Sequence, residues 1–119
     1  MKLVHLHGPL ADKYGKTHRY KVKTAAEAIS LLLANYPELR TDPLYTENQW
    51  AIVAERESPA GRIRRRLPRF RHVMMGTLGT KLSNKFKEIH LVPKGYKVAG
   101  IETILFIAVG AVLAIAAVT

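Results

Sequence analysis

The residues of this chain best equipped for chemistry are its five histidines, because an imidazole near neutral pH can bind a metal, pass a proton or change charge. His5 and His7 in "KLVHLH" stand two apart, so in a strand both face one way and could supply two metal ligands. A protein zinc site wants three or four. His18, His72 and His90 are scattered along the chain and no ligand motif joins them. With no cysteine, thiolate metal sites, disulfides and thiol nucleophiles are excluded. No Ser/His/Asp arrangement stands out, and Asp12 and Asp42 sit in turn-like contexts. Gly76 and Gly79 in "MGTLGT" loosely evoke a phosphate loop, without the downstream Lys-Ser/Thr or the strand-to-helix setting. These residues point away from an enzyme, with no metal and no cofactor expected.

The elements that would position them are short. A chain of 119 residues has room for one small domain, only marginally able to bury its own core. In "KLVHLH", Val4 and Leu6 alternate with the histidines, a half-buried strand. "GPLADKYGK" supplies turn punctuation at Gly8-Pro9 and Gly15. "KTHRYKVKT" alternates again, so the two runs read as a hairpin. Thr24 and Glu27 in "TAAE" fit a capping box, and Ala25, Ala28, Ile29, Leu32, Leu33 and Tyr36 form one apolar helical stripe. Pro37 disfavours helix at Tyr36 and ends it. "QWAIVAER" has the aromatic and β-branched content of a strand, and "KEIHLVP" is a second, with Ile89 and Leu91 on one face. "HVMMGTLGTKLSNKF" is open between strand and short helix. A single helix packed on a small mixed sheet is the economical α+β arrangement, expected over residues 1–95.

Charge and apolarity are unevenly placed. The formal charge of +10 owes much to an irregular stretch, 56–72, carrying Arg56, Arg62, Arg64, Arg65, Arg66, Arg69 and Arg71. That loop could meet an acidic protein, an anionic membrane or DNA, or simply be solvated. The N-terminus is too short and polar for a signal peptide, so synthesis in a cytoplasm is expected. After a 96–103 linker, residues 104–119 are uncharged and apolar. As a helix they would reach about 24 Å, against a bilayer core of about 30 Å. Leu105, Phe106, Ile107, Val109, Val112 and Leu113 are among the residues favouring insertion, by roughly 3–5 kcal/mol in all as an upper bound. Gly110 and Ala114, four apart, would let helices approach closely.

The run "VKTAAEAISLLLANYPELR", the hairpin before it, and the ending "IHLVPKGYKVAG" ahead of an apolar tail resemble tail assembly protein I of lambda-like siphophages. In that family "VKTxAEAIRAL" opens the helix and "IHIVPxxAG" closes a ubiquitin-like (β-grasp) domain, with a hydrophobic region following. The resemblance covers most of the chain. It implies a structural component of the virion tail tip, made in the host cytoplasm and present in several copies, with threefold symmetry. Its partners would be the distal tail, hub and central-fibre proteins, with host-membrane contact during genome ejection. The arginine-rich stretch departs from the family pattern, so no family role passes to it. "VPKGYKVAG" also resembles the C-terminal arm of ubiquitin-like sulfur carriers, which makes Ala99 and Gly100 a linker or a cleavage point.

Another class of protein fits the same residues. Basic charge ahead of a C-terminal apolar segment suits a small cytoplasmic-facing protein anchored in a membrane. A nucleic-acid-binding module would rest on the arginine run alone, with no stacking aromatics or recognised motif around it.

Overall fold

The computed structural model describes residues 1–43, 49–56 and 70–96. Five strands form one mixed sheet: β1 (Lys2–Leu6), β2 (Thr17–Tyr20), β3 (Trp50–Arg56), β4 (Phe70–His72) and β5 (Phe86–Pro93). Their spatial order is β2-β1-β5-β3-β4. β1 and β5 run parallel, with Val4 beside Ile89 and His5 beside His90, and the other neighbouring pairs are antiparallel. The architecture is a small α+β fold.

Among the described residues, two α-helices are defined where the sequence suggests one. α1 (Pro9–Tyr14) lies between β1 and β2, where the residues read as a turn. Its start and stop follow from local chemistry. Pro9 occupies the first helical turn, where its missing N–H costs nothing. Gly15, at φ +97, closes it in a conformation that side chains disfavour. Asp12 therefore belongs to a helix. The hairpin holds as an antiparallel pair, but its connection runs from His7 to Lys16 and carries this helix.

α2 (Ala25–Asn35) is the helix expected from the apolar stripe. The Thr24 hydroxyl accepts from the Glu27 amide at 3.0 Å, satisfying an orphan donor of the first turn. Ala25, Ala28, Ile29, Leu32 and Leu33 are buried with Val4 and Leu6 of β1, Ile52 and Ala54 of β3, and Ile89 and Leu91 of β5. Tyr36 caps the end, and Pro37–Thr41 continue as a 3₁₀ turn that buries Leu39. Replacing the cap, Thr24→Ala, is expected to lower stability by about 1 kcal/mol. A denaturant midpoint shifted by that amount, with an unchanged slope, is the result to look for.

Behind this turn, Asp42 is buried and accepts from the Tyr14 hydroxyl at 2.5 Å and the Lys13 ammonium at 2.7 Å. Burial first, then this hydrogen bond, raises the Tyr14 pKa. The contact ties α1 to the chain leaving α2.

The stretch expected to be loop up to residue 72 instead ends in a strand. Phe70–His72 pair with β3, opposing Glu55, Ala54 and Val53. The alternation there is too brief to show as a period, and the strand exists because β3 offers an edge to pair with. The ambiguous stretch after it holds one 3₁₀ turn, Met75–Thr77, and then Leu78 and Leu82 enter the main core. On the sheet face away from α2, Ala51, Val53 and Val92 make a second, smaller apolar cluster with Phe70 against it.

Candidate functional site

Strand alternation sends His5 to the face opposite Val4 and Leu6, and Glu88 and His90 to the face opposite Ile89 and Leu91. Parallel pairing then sets His5 directly beside His90. Their rings stack with centroids 4.8 Å apart, and the His7 ring lies 5.1 Å from that of His90. On the other side, Glu55 of β3 is the register partner of Glu88. Like charges facing across two strands repel, and here each carboxylate has an imidazole to bind. His5 Nε2 lies 2.7 Å from Glu88 Oε1, and His90 Nε2 lies 2.7 Å from Glu55 Oε1.

The proton positions follow from what each group can donate. A carboxylate only accepts, so His90 Nε2 carries a proton to Glu55, and the Nδ1 of neutral His90 is an acceptor. His7 Nε2, 2.8 Å from that Nδ1, must then be the donor. The result is a chain, His7 to His90 to Glu55. By the same reasoning His5 donates from Nε2 to Glu88, and its Nδ1 lies 3.2 Å from the Thr17 hydroxyl.

Burial disfavours the charged form of two of these rings. The His7 pKa falls from 6.5 to about 4, first through burial and then through His90 and His5. Burial also lowers that of His90, with the Glu55 hydrogen bond opposing it. His5, His7, Gly8, Asp12, Lys16, Thr17 and Tyr96 are among the residues lining a cleft of about 530 Å³. One wall is fixed by Gly8, where a Cβ would come within 3.0 Å of Pro93 and 3.1 Å of the Tyr96 ring. The chain leaving β5 is thus packed against the turn that follows β1, and the His7 amide also donates to the Leu91 carbonyl at 3.2 Å.

A general base works best with a pKa near the working pH. A value of about 4 makes His7 a weak base at neutrality. Thr17, His5 and Glu88 stand in the order of a nucleophile, base and carboxylate, but the Thr17 bond is solvent-exposed. Among the described residues, no group of three or more His, Asp or Glu side chains is placed to hold a metal ion. His5 Nε2, His7 Nε2 and both ring nitrogens of His90 are engaged with one another or with the carboxylates.

Of the histidines singled out in the sequence, His5, His7 and His90 come together. His18 instead bonds the Gly15 carbonyl and packs against Tyr20 and Tyr36. His72 lies opposite Val53, at the outer strand. Arg71 is exposed on β4, opposite Ala54. Arg62, Arg64, Arg65, Arg66 and Arg69, the Ala99–Gly100 pair and the apolar residues 104–119 lie outside the described residues. Among the described residues, no helix is long and apolar enough to cross a membrane. The two glutamates were missed by sequence reasoning, although the alternation of "KEIHLVP" already places Glu88 and His90 on one face. Comparison of the chain with protein-family models, curated proteins and solved structures gives no match.

Proposed function

We propose that this chain is a structural component of a bacteriophage tail tip, a ubiquitin-like β-grasp domain that carries an apolar C-terminal segment. The observation that supports this most is the strand order β2-β1-β5-β3-β4 with β1 and β5 parallel at its centre. A ubiquitin-like sheet would have this order, which supports the reading. "VKTAAEAISLLLANYPELR" supplies α2 with Thr24 as its cap, and "IHLVP" is the central strand β5. The domain serves as the handle by which distal tail, hub and central-fibre proteins hold a segment that would otherwise aggregate. Packing of Tyr96 beside Gly8 gives the departing chain a fixed exit. From there the apolar segment reaches the tail-tip interior or, during genome ejection, the host membrane.

Two measurements test this. The full chain is expected to float with liposomes, and a form lacking residues 104–119 to stay at the bottom of the gradient. The full chain is also expected to copurify with tail tubes, in multiple copies per particle. Flotation without any tail association would favour the membrane-anchored alternative. Absence of both would remove the proposal.

A further inference from the structure

The fold gathers basic residues that are dispersed in the sequence. At the end of the sheet where β1 begins, β2 ends and β5 begins, the Lys2 ammonium is turned inward to the carbonyls of Ser83 and Phe86. Around it stand Arg19, Lys21, Lys23, Lys81, Lys85 and Lys87, all exposed. Their proximity follows from the backbone. Tyr20, just before Lys21, pairs with Lys2, and Arg19 pairs with Leu3. The Lys23 carbonyl accepts from the Leu82 amide at 2.8 Å, which brings Lys81 alongside. Lys85 lies on the turn that holds Lys2. Arg19 and Lys87 line one shallow groove of about 250 Å³ together with Met1, Lys2 and Leu3.

We propose that this basic end of the sheet binds the phosphate backbone of duplex DNA without reading its sequence. The like charges are close enough to act on one another: the Lys2 pKa is lowered by burial first and by Lys87 second. Among the described residues, none of the six exposed cations makes an ion pair. The carboxylates on adjoining elements are Glu27, in the first turn of α2, and Glu88, which is held by His5. A patch of uncompensated cations gains most from a partner whose own counterions are released on contact.

The neighbouring side chains decide the partner class. A membrane-surface site combines basic residues with apolar side chains that enter the headgroup boundary, and protein interfaces have an apolar centre. Among the described residues that line this groove, Met1 is the one exposed large apolar side chain, with Leu3 half-buried beside it. Single-stranded nucleic acid would want aromatic platforms, whereas Tyr20, beside Arg19, is half-buried. Duplex phosphate asks only for the charges. The inference rests on charge placement and stands independently of the tail-tip reading.

The test uses the full chain and a fluorescein-labelled DNA duplex, with anisotropy followed between about 50 and 200 mM salt. Binding should weaken with salt, log K falling by about 0.9 per log unit of salt for each phosphate neutralised. Replacing Arg19, Lys85 and Lys87 together by Gln should make that slope shallower by about 2–3 and weaken low-salt binding at least about tenfold. A single Lys87→Gln change, followed with a thermal melt, guards against a folding defect and should shift the slope by about 1. The same slope in wild type and triple variant would overturn the proposal and leave the arginines of 62–69 as the contact. Loss of binding to phosphatidylserine vesicles, with DNA binding unchanged, would overturn it in favour of lipid.

Discussion

Gly8→Ala is expected to destabilise the domain by about 2–4 kcal/mol, more than most single substitutions. Two costs act at one position. Gly8 has φ +68 and ψ −147, a combination essentially restricted to glycine, and holding another residue there costs about 1–3 kcal/mol. The new methyl would also stand 3.0 Å from Pro93 Cγ and 3.1 Å from the Tyr96 ring. Pro93 ends the central strand and pairs with Trp50, so the tyrosine is the group able to move. The variant should therefore lose the packing that fixes the chain's exit from β5 as well as stability. Equilibrium denaturation followed through Trp50, which is the sole tryptophan and buried, measures the first effect. Gly76→Ala is the control: a Cβ there meets nothing within 4 Å, so a change within about 0.5 kcal/mol is expected. Equal stability of Gly8→Ala and wild type would show that the turn is not held as described.

What the residues reveal unaided depends on how far each signal reaches along the chain. The α2 stripe and its Thr24 cap are local, repeated over several turns, and legible. Strands β1 and β5 are legible through alternation, and β3, buried on both faces, through its aromatic and β-branched content. α1 is six residues long, too short for a period to emerge, and Gly8-Pro9 reads as a turn although proline is equally at home in a first helical turn. β4, at three residues, owes its existence to β3. The candidate site is partly visible, since His5 and His7 share a face. Its remainder depends on the parallel pairing of β1 with β5 and the antiparallel pairing of β5 with β3. These join positions more than thirty residues apart, for example His90 and Glu55. No local pattern encodes which strands become neighbours. The basic end of the sheet has the same origin: the sequence draws attention to the arginine run, while the lysines of three separate segments converge only once the sheet is formed.

The other large effect is expected at Glu55. Glu55→Ala should cost about 2–4 kcal/mol at pH 7.5, because it leaves the buried Nε2–H of His90 without its carboxylate. Glu55→Gln retains a carbonyl acceptor and should cost only about 1 kcal/mol. The same layer makes stability depend on pH. His7 has a folded pKa depressed to about 4, so protonation favours the unfolded chain. Its contribution is complete above pH 6.5 and is lost as pH falls from 6.5 through 4. The full shift would correspond to about 3.4 kcal/mol, and solvent screening of a half-buried ring reduces this to about 1–2 kcal/mol. His90 acts in the same direction through its burial, with Glu55 opposing. The groups facing the layer are His5 and Glu88 within it, Asp12 of α1 and Lys16 in the cleft, and His72 at the outer strand. Carboxylates elsewhere, Asp42 among them, also weaken the fold in acid, so the informative quantity is a difference between proteins. Thermal melts from pH 7.5 to 4 should show a shallower acid loss for His7→Gln than for wild type. Parallel curves would mean that His7 does not titrate in the folded state as its neighbours dictate, and a Glu55→Ala cost below about 0.5 kcal/mol would mean that His90 is not held by that carboxylate. If both effects appear, the histidine layer is a structural element whose integrity falls with acidification, and because His7 adjoins Gly8 the first region to loosen is the exit of the chain beside Tyr96.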